Sequence, residues 1–186
     1  MGYDQQIRGY FETLKATIDK IDRAEIERAM EALKRARDER RFIYAMGNGG
    51  SAATASHYAG DFNKGLSLGR EKRFRVIALN DNAPTMLSLA NDVDYASVFV
   101  EQLRNFLEPG DLVLAISGSG NSENVLRAAR YARERGATVI GLTGFDGGKL
   151  RALSDVSLHV PIDNMQVVED LHMVFDHLMM SILYRE

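Results

Sequence analysis

The sequence has no cysteine. That absence removes disulfides, thiolate metal sites and a cysteine nucleophile, so any metal must rest on imidazole and carboxylate. A dominant charge sign is missing too: 23 basic side chains face 26 acidic ones, for a net charge of -3. A surface built for nucleic acid needs a basic excess, so no nucleic-acid partner is expected. No stretch approaches the ~18 uninterrupted apolar residues of a membrane span. The start, MGYDQQIRGY, is polar and carries no hydrophobic signal region. The expectation is a cytoplasmic protein with no membrane contact. What is present is a 45% hydrophobic fraction spread along 186 residues, enough for one domain, 1–186, with a single core. Of the four histidines, His159, His172 and His177 fall in the last 28 residues.

Residues 1–41 hold 10 basic and 9 acidic side chains over an apolar series at Ile7, Phe11, Leu14, Ile18 and Ile21. Steps alternating between four and three mark an amphipathic helix. A second helix opens near Asp22 and carries Ile26, Met30 and Leu33 on one face. This pair either packs on its own domain or also forms an oligomer seam. From residue 42 the pattern alternates. β-rich runs at 42–46, 75–79, 112–116, 138–142 and 156–160 are separated by helical stretches at 51–66, 84–91 with 95–107, 122–136 and 148–153, and a last helix spans 165–184. Five short strands with helices between them predict an α/β fold: a three-layer, doubly wound, five-stranded parallel sheet.

Gly and Ser cluster after the first, third and fourth strands, at the carboxyl edge where such sheets bind ligands. Gly47-Asn48-Gly49-Gly50-Ser51 leads into a helix, so its backbone N–H groups and the Ser51 hydroxyl can meet an anion at a positive helix end. Continued to Ala52 it also fits the dinucleotide fingerprint, but no acidic ribose ligand follows about 20 residues on. Ser117-Gly118-Ser119-Gly120-Asn121-Ser122 packs three hydroxyls into six residues, a set suited to the oxygens of a phosphoryl group, with Ser122 placed to cap the next helix. Thr143-Gly144-Phe145-Asp146-Gly147-Gly148-Lys149 has one residue too few between its glycines for a P-loop, and Leu150 stands where Ser or Thr should hold magnesium. Nucleoside triphosphate hydrolysis is therefore disfavoured.

Titratable groups gather on two helices. His57 and Asp61 are four apart and share a face. In the last helix Glu169, His172 and Asp176 fall within about 60° on a helical wheel, with His177 about 80° from Glu169. Two helices that each offer histidine and carboxylate can assemble a four-ligand site for a borderline metal ion without cysteine.

With these residues in place the chain resembles the sugar isomerase (SIS) domain family and, within it, the phosphoheptose isomerases. The resemblance covers nearly the whole chain. It is carried by the loops 47–51 and 116–122, His57, the run Leu89-Ala90-Asn91-Asp92, the segment 142–149, and His172 with His177. It implies a flavodoxin-like strand order and a phosphosugar substrate whose phosphate is held by Ser51, Ser117, Ser119 and Ser122. Asn48, Gly49, Gly50 and Gly118 would shape the pocket, with Asn91, Asp92 and Glu169 near the substrate. It also implies a homotetramer with sites at subunit interfaces, residues 1–41 serving oligomerisation, and zinc bound through His57, Asp61, Glu169 and His177. In the resembled enzymes the positions of Asp61 and Glu169 are glutamate and glutamine, and the glutamate is the base. The base here would be Asp61 and the partner acid His177, with His159 a strand-end surface residue and His172 an interface or supporting one. The implied reaction converts sedoheptulose 7-phosphate to D-glycero-D-manno-heptose 7-phosphate through an enediol. Two other readings are an isomerase of another sugar phosphate and a non-catalytic SIS-domain protein that associates with the bacterial replication initiator.

Overall fold

The computed structural model describes residues 2–185. The chain opens with α1 (Asp4–Ile18) and α2 (Arg23–Asp38). Asp22 caps α2 by accepting a bond from the Ala24 N–H at 2.9 Å. The apolar face of α2, with Ile26, Ala29, Leu33 and Ala36, is buried. The Glu25 carboxylate ties this helix to the sheet by accepting the Ser157 N–H at 2.7 Å.

The apolar series of α1 splits. Leu14 and Ile21 pack on the core and the Tyr10 hydroxyl donates to Asp170 at 2.6 Å, whereas Ile7, Phe11 and Ile18 are 54%, 55% and 40% exposed. The helix is amphipathic as expected, but this chain covers only part of its apolar face.

Among the described residues five strands form one parallel sheet: β1 (Ile43–Met46), β2 (Val76–Ala78), β3 (Leu112–Ser117), β4 (Thr138–Thr143) and β5 (Val156–His159), in the order β2-β1-β3-β4-β5. Alternation along the strands builds both outer layers. Ile43, Ala45, Leu112, Leu114 and Ile116 face the side covered by α2, α3 (Gly50–Gly60) and α8 (Met165–Leu183). Tyr44, Met46, Val113 and Ala115 face the side formed chiefly by α5 (Val100–Phe106), α6 (Glu123–Glu134) and α7 (Gly148–Leu153), with α4 (Ala83–Asp92) packed at its edge. This is the three-layer, doubly wound arrangement with the predicted flavodoxin-like order. The chain winds outward in both directions from neighbouring β1 and β3, so the crevice that binds ligands in such sheets opens between the loops that follow them.

Two predicted helices are broken. The stretch expected as one helix over 51–66 is α3 to Gly60 and then a π-helical turn, Asp61–Gly65, closed by the Leu66 N–H on the Asp61 carbonyl at 2.9 Å. The stretch 95–107 divides into a 3-10 turn at Tyr95–Ser97 and α5. No helix among the described residues is long and apolar enough to cross a membrane.

Candidate active site

The loop after β1 folds as it does because of its glycines. A Cβ on Gly47 would lie 2.6 Å from the Ser51 carbonyl oxygen, and Gly49 has φ 53°, where a side chain is strained. The result is a tight turn that delivers Ser51, itself buried, into the first turn of α3. Asn48 is held rather than free. Its amide exchanges hydrogen bonds with Asn124 at 3.0 and 2.8 Å, and its oxygen also accepts the Tyr95 hydroxyl at 2.8 Å. Because Asn124 lies in the first turn of α6, the two ligand-edge loops are locked together through their side chains. Asn91 and Asp92, bonded to each other at 2.7 Å, are exposed at the end of α4, just before Tyr95.

The loop after β3 is braced by the loop after β4. The Gly144 N–H donates to the Gly118 carbonyl at 2.8 Å, the Leu150 N–H to Gly120 at 2.9 Å, and the Lys149 N–H to the Asn121 side chain at 3.2 Å. The segment that looked like a defective P-loop is thus a scaffold for the serine loop. Within that loop the Ser117 hydroxyl donates to the Ser122 hydroxyl at 3.2 Å, and Ser119 accepts the Asn121 N–H at 3.2 Å. Ser122 occupies the N-cap position of α6 but makes no side-chain capping bond, contrary to expectation, because its hydroxyl is turned toward Ser117.

Gly120 is where this packing is tightest. It has φ 65°, and a Cβ there would sit 2.0 Å from the Gly147 carbonyl oxygen, which is rigid backbone. Gly120→Ala is expected to destabilise the fold by about 2–4 kcal/mol from strain and overpacking. The urea midpoint checks this, and an unchanged midpoint would refute the close packing of the two loops.

The histidine cluster lies further along α3 and on the neighbouring α8. α3 and α8 run in the same direction: Glu169 faces Gly50, His177 faces His57, and Met180 faces Gly65. The Nε2 atoms of His57 and His177 are 3.0 Å apart. The Asp61 Oδ2 is 3.5 Å from His57 Nε2 and 3.9 Å from His177 Nε2. Asp61 opens the π-helical turn, a departure from α geometry often found at functional sites. A fourth group, Asp176, reaches within 3.9 Å of His57 Nε2. One donor atom from each of His57, Asp61, Asp176 and His177 fits within 4.8 Å of the others, a set able to hold a metal ion.

Glu169 stands apart from that set. It precedes His177 by eight residues, about 12 Å along a helix, and its carboxylate lies over Gly50, 2.7 Å from where a Cβ would be. The four residues expected as zinc ligands are therefore not gathered in one chain: three are, Glu169 is not, and Asp176 joins them.

Two environments in α8 shift titrations strongly. Asp176 is fully buried and pushed up to about 7, mainly by desolvation and then by the nearby Asp61 charge. His172 is 1% exposed, and neither ring nitrogen has a hydrogen-bond partner among the described residues. Burial pushes it down to about 4, against a smaller upward influence from the Thr143 backbone that falls short of a hydrogen bond. His172 is thus a core residue of this chain. His159, expected at the surface, is half-buried, its Nδ1 within 3.1 Å of the Thr143 hydroxyl, and burial lowers its pKa.

The SIS domain pattern matches residues 9–144. The phosphoheptose isomerase of Aliarcobacter butzleri is 35% identical over 186 residues, covering 100% of this chain and 94% of that protein. That of Aromatoleum aromaticum is 44% identical over 138 residues, 73% of this chain and 69% of that one. The solved structure of the phosphoheptose isomerase from Neisseria gonorrhoeae superposes with a TM-score of 0.89 at 31% identity over 98% of both chains. With a domain pattern covering most of its length and relatives similar from end to end, the chain belongs to the SIS domain family, on its phosphoheptose isomerase branch.

Proposed function

We propose that the protein is an aldose–ketose isomerase that converts sedoheptulose 7-phosphate to D-glycero-D-manno-heptose 7-phosphate, in heptose biosynthesis. The observation that carries this reading is the alignment of two chemistries on one helix. Ser51 opens α3 at the serine loops, and His57 follows six residues on, about 9 Å along the axis. A sugar phosphate bridges such a separation, its phosphate on Ser51, Ser117, Ser119 and Ser122 and its carbonyl end at the histidines.

The proton inventory closes with two residues. Asp61 takes a proton from C1 of the ketose while His177 gives one to the C2 carbonyl oxygen, forming the enediol. The O1 proton then passes to His177 and Asp61 returns its proton to C2, leaving an aldehyde at C1 and both side chains as they began. Polarisation of the carbonyl oxygen is the chemistry that a zinc ion at His57, Asp61 and His177 supplies when bound. The positive ends of α3 and α6 offset the phosphate charge, and the hydroxyls of buried Ser51 and Ser117 and half-buried Ser119 and Ser122 donate to its oxygens.

The exposed Ile7, Phe11 and Ile18 of α1 support a homotetramer, since a second copy can cover them. Pure zinc-loaded protein given sedoheptulose 7-phosphate should yield the aldoheptose 7-phosphate, and no product would sink the proposal. The close-set His57, Asp61 and His177 disfavour a purely non-catalytic binding role. Ser119→Ala should raise KM about tenfold or more with a smaller effect on kcat, because a hydrogen bond to a charged phosphate is lost from both ground and transition states. Steady-state kinetics check this, and an unchanged KM would remove Ser119 from the phosphate site.

A further inference from the structure

We propose that Asp176 is a direct ligand of the cation at His57, Asp61 and His177, so that one subunit supplies it with two imidazoles and two carboxylates and Glu169 of that subunit is not among them. This rests on reading the cluster as a cation site, not on the identity of the sugar.

Three observations carry it. Asp176 is completely buried, and neither carboxylate oxygen has a hydrogen-bond partner among the described residues. A carboxylate in that condition is strongly unfavourable unless a charge meets it, and coordination of a metal is one of the few arrangements that retain such groups. Its ion-pair partner among the described residues is His57, at 3.9 Å and itself part of the cluster.

Asp176 also lies at the right place. Its donor atom falls within 4.8 Å of the other three, whereas Glu169 of the same chain is about two turns away over Gly50. Finally, the charges suit the site: two carboxylates neutralise one divalent cation, and imidazole with carboxylate suits the borderline first-row ions. Asp61, shortened by a methylene relative to the glutamate of the resembled enzymes, then has a second carboxylate beside it in the set.

Cobalt(II) is the probe, because its visible absorption reports the ligand field without substrate. Metal-stripped wild type should bind cobalt(II) with d–d bands of a low-coordinate site. Asp176→Asn should weaken that binding at least 100-fold and alter the bands, while Glu169→Gln should leave affinity within about threefold. Wild-type affinity and spectrum in Asp176→Asn would overturn the proposal, as would an equal loss in Glu169→Gln or no cobalt binding by wild type.

Asp176→Leu supplies the control on folding. Without metal it should melt at or above the wild-type temperature, since it removes an uncompensated buried carboxylate, yet gain nothing from added cobalt. If both Asp176 variants fail to fold without metal, the carboxylate is structural and the proposal falls. Active wild type that binds no cobalt would refute this inference and spare the isomerase reading. Wild type that binds cobalt through Asp176 but forms no aldoheptose phosphate would do the reverse.

Discussion

Asp61→Asn is expected to lower kcat by about three orders of magnitude or more, with KM for sedoheptulose 7-phosphate changed only a few fold. General-base catalysis alone contributes about 10²–10⁴, and the substitution also removes a cluster carboxylate 3.5 Å from His57 Nε2. The variant keeps the size and most of the polarity of the side chain, so the π-helical turn that starts at this residue should persist. Because proton abstraction belongs to the transition state, the loss should fall on kcat and kcat/KM together rather than on KM. His177→Gln should show the same division, since the acid acts in the same step. Asp61→Glu retains the charge and should keep measurable turnover. Comparable kcat in Asp61→Asn and wild type, measured by formation of the aldose, would remove Asp61 from the mechanism. Loss of turnover accompanied by a lowered melting temperature would instead point to a damaged fold.

The order of elements and the ligand edge were legible because they depend on short-range pattern. Short, near-continuous apolar runs such as Leu112–Ser117, buried at every position, and glycine-serine loops directly after them announce a parallel sheet and its crevice. The pairing of His57 with Asp61 was equally local. The histidine cluster as a whole was only half legible, and the reason is geometric. A helical wheel preserves angle and discards height, so Glu169, His172 and Asp176 nearly coincide on it although their rise along α8 separates a neighbour of Gly50, a core residue and a cluster member. The π-helical turn at Asp61 was invisible because one such turn barely alters apolar spacing. The link from Asn48 to Asn124 joins residues 76 apart in sequence and exists only because β1 and β3 are neighbours. The exposed Ile7, Phe11 and Ile18 show the opposite limit: periodicity identifies an apolar face but not how much of it the chain itself covers.

The metal-free wild type, compared with His172→Leu, should lose about 3 kcal/mol of relative stability between pH 6.5 and pH 4. In the unfolded chain His172 takes up a proton near 6.5, whereas in the fold burial delays this to about 4. Between those values the unfolded state binds more protons, so the contribution to stability rises with pH, by about 1.4 kcal/mol per unit for one such group. It is fully present above 6.5 and lost progressively as the pH falls to about 4. Asp176 on the same helix titrates in the opposite sense over an overlapping range, because burial holds its proton up to about 7. The wild-type profile alone is therefore flattened, and the difference between the two proteins isolates the imidazole. Leucine has similar bulk and no group to protonate, and it removes two ring nitrogens that find no partner among the described residues. Urea denaturation at half-unit steps from pH 4 to pH 7.5 measures the difference. Curves that stay parallel across this interval would show that His172 takes up its proton equally in the folded and unfolded chain, and that its burial is relieved in solution.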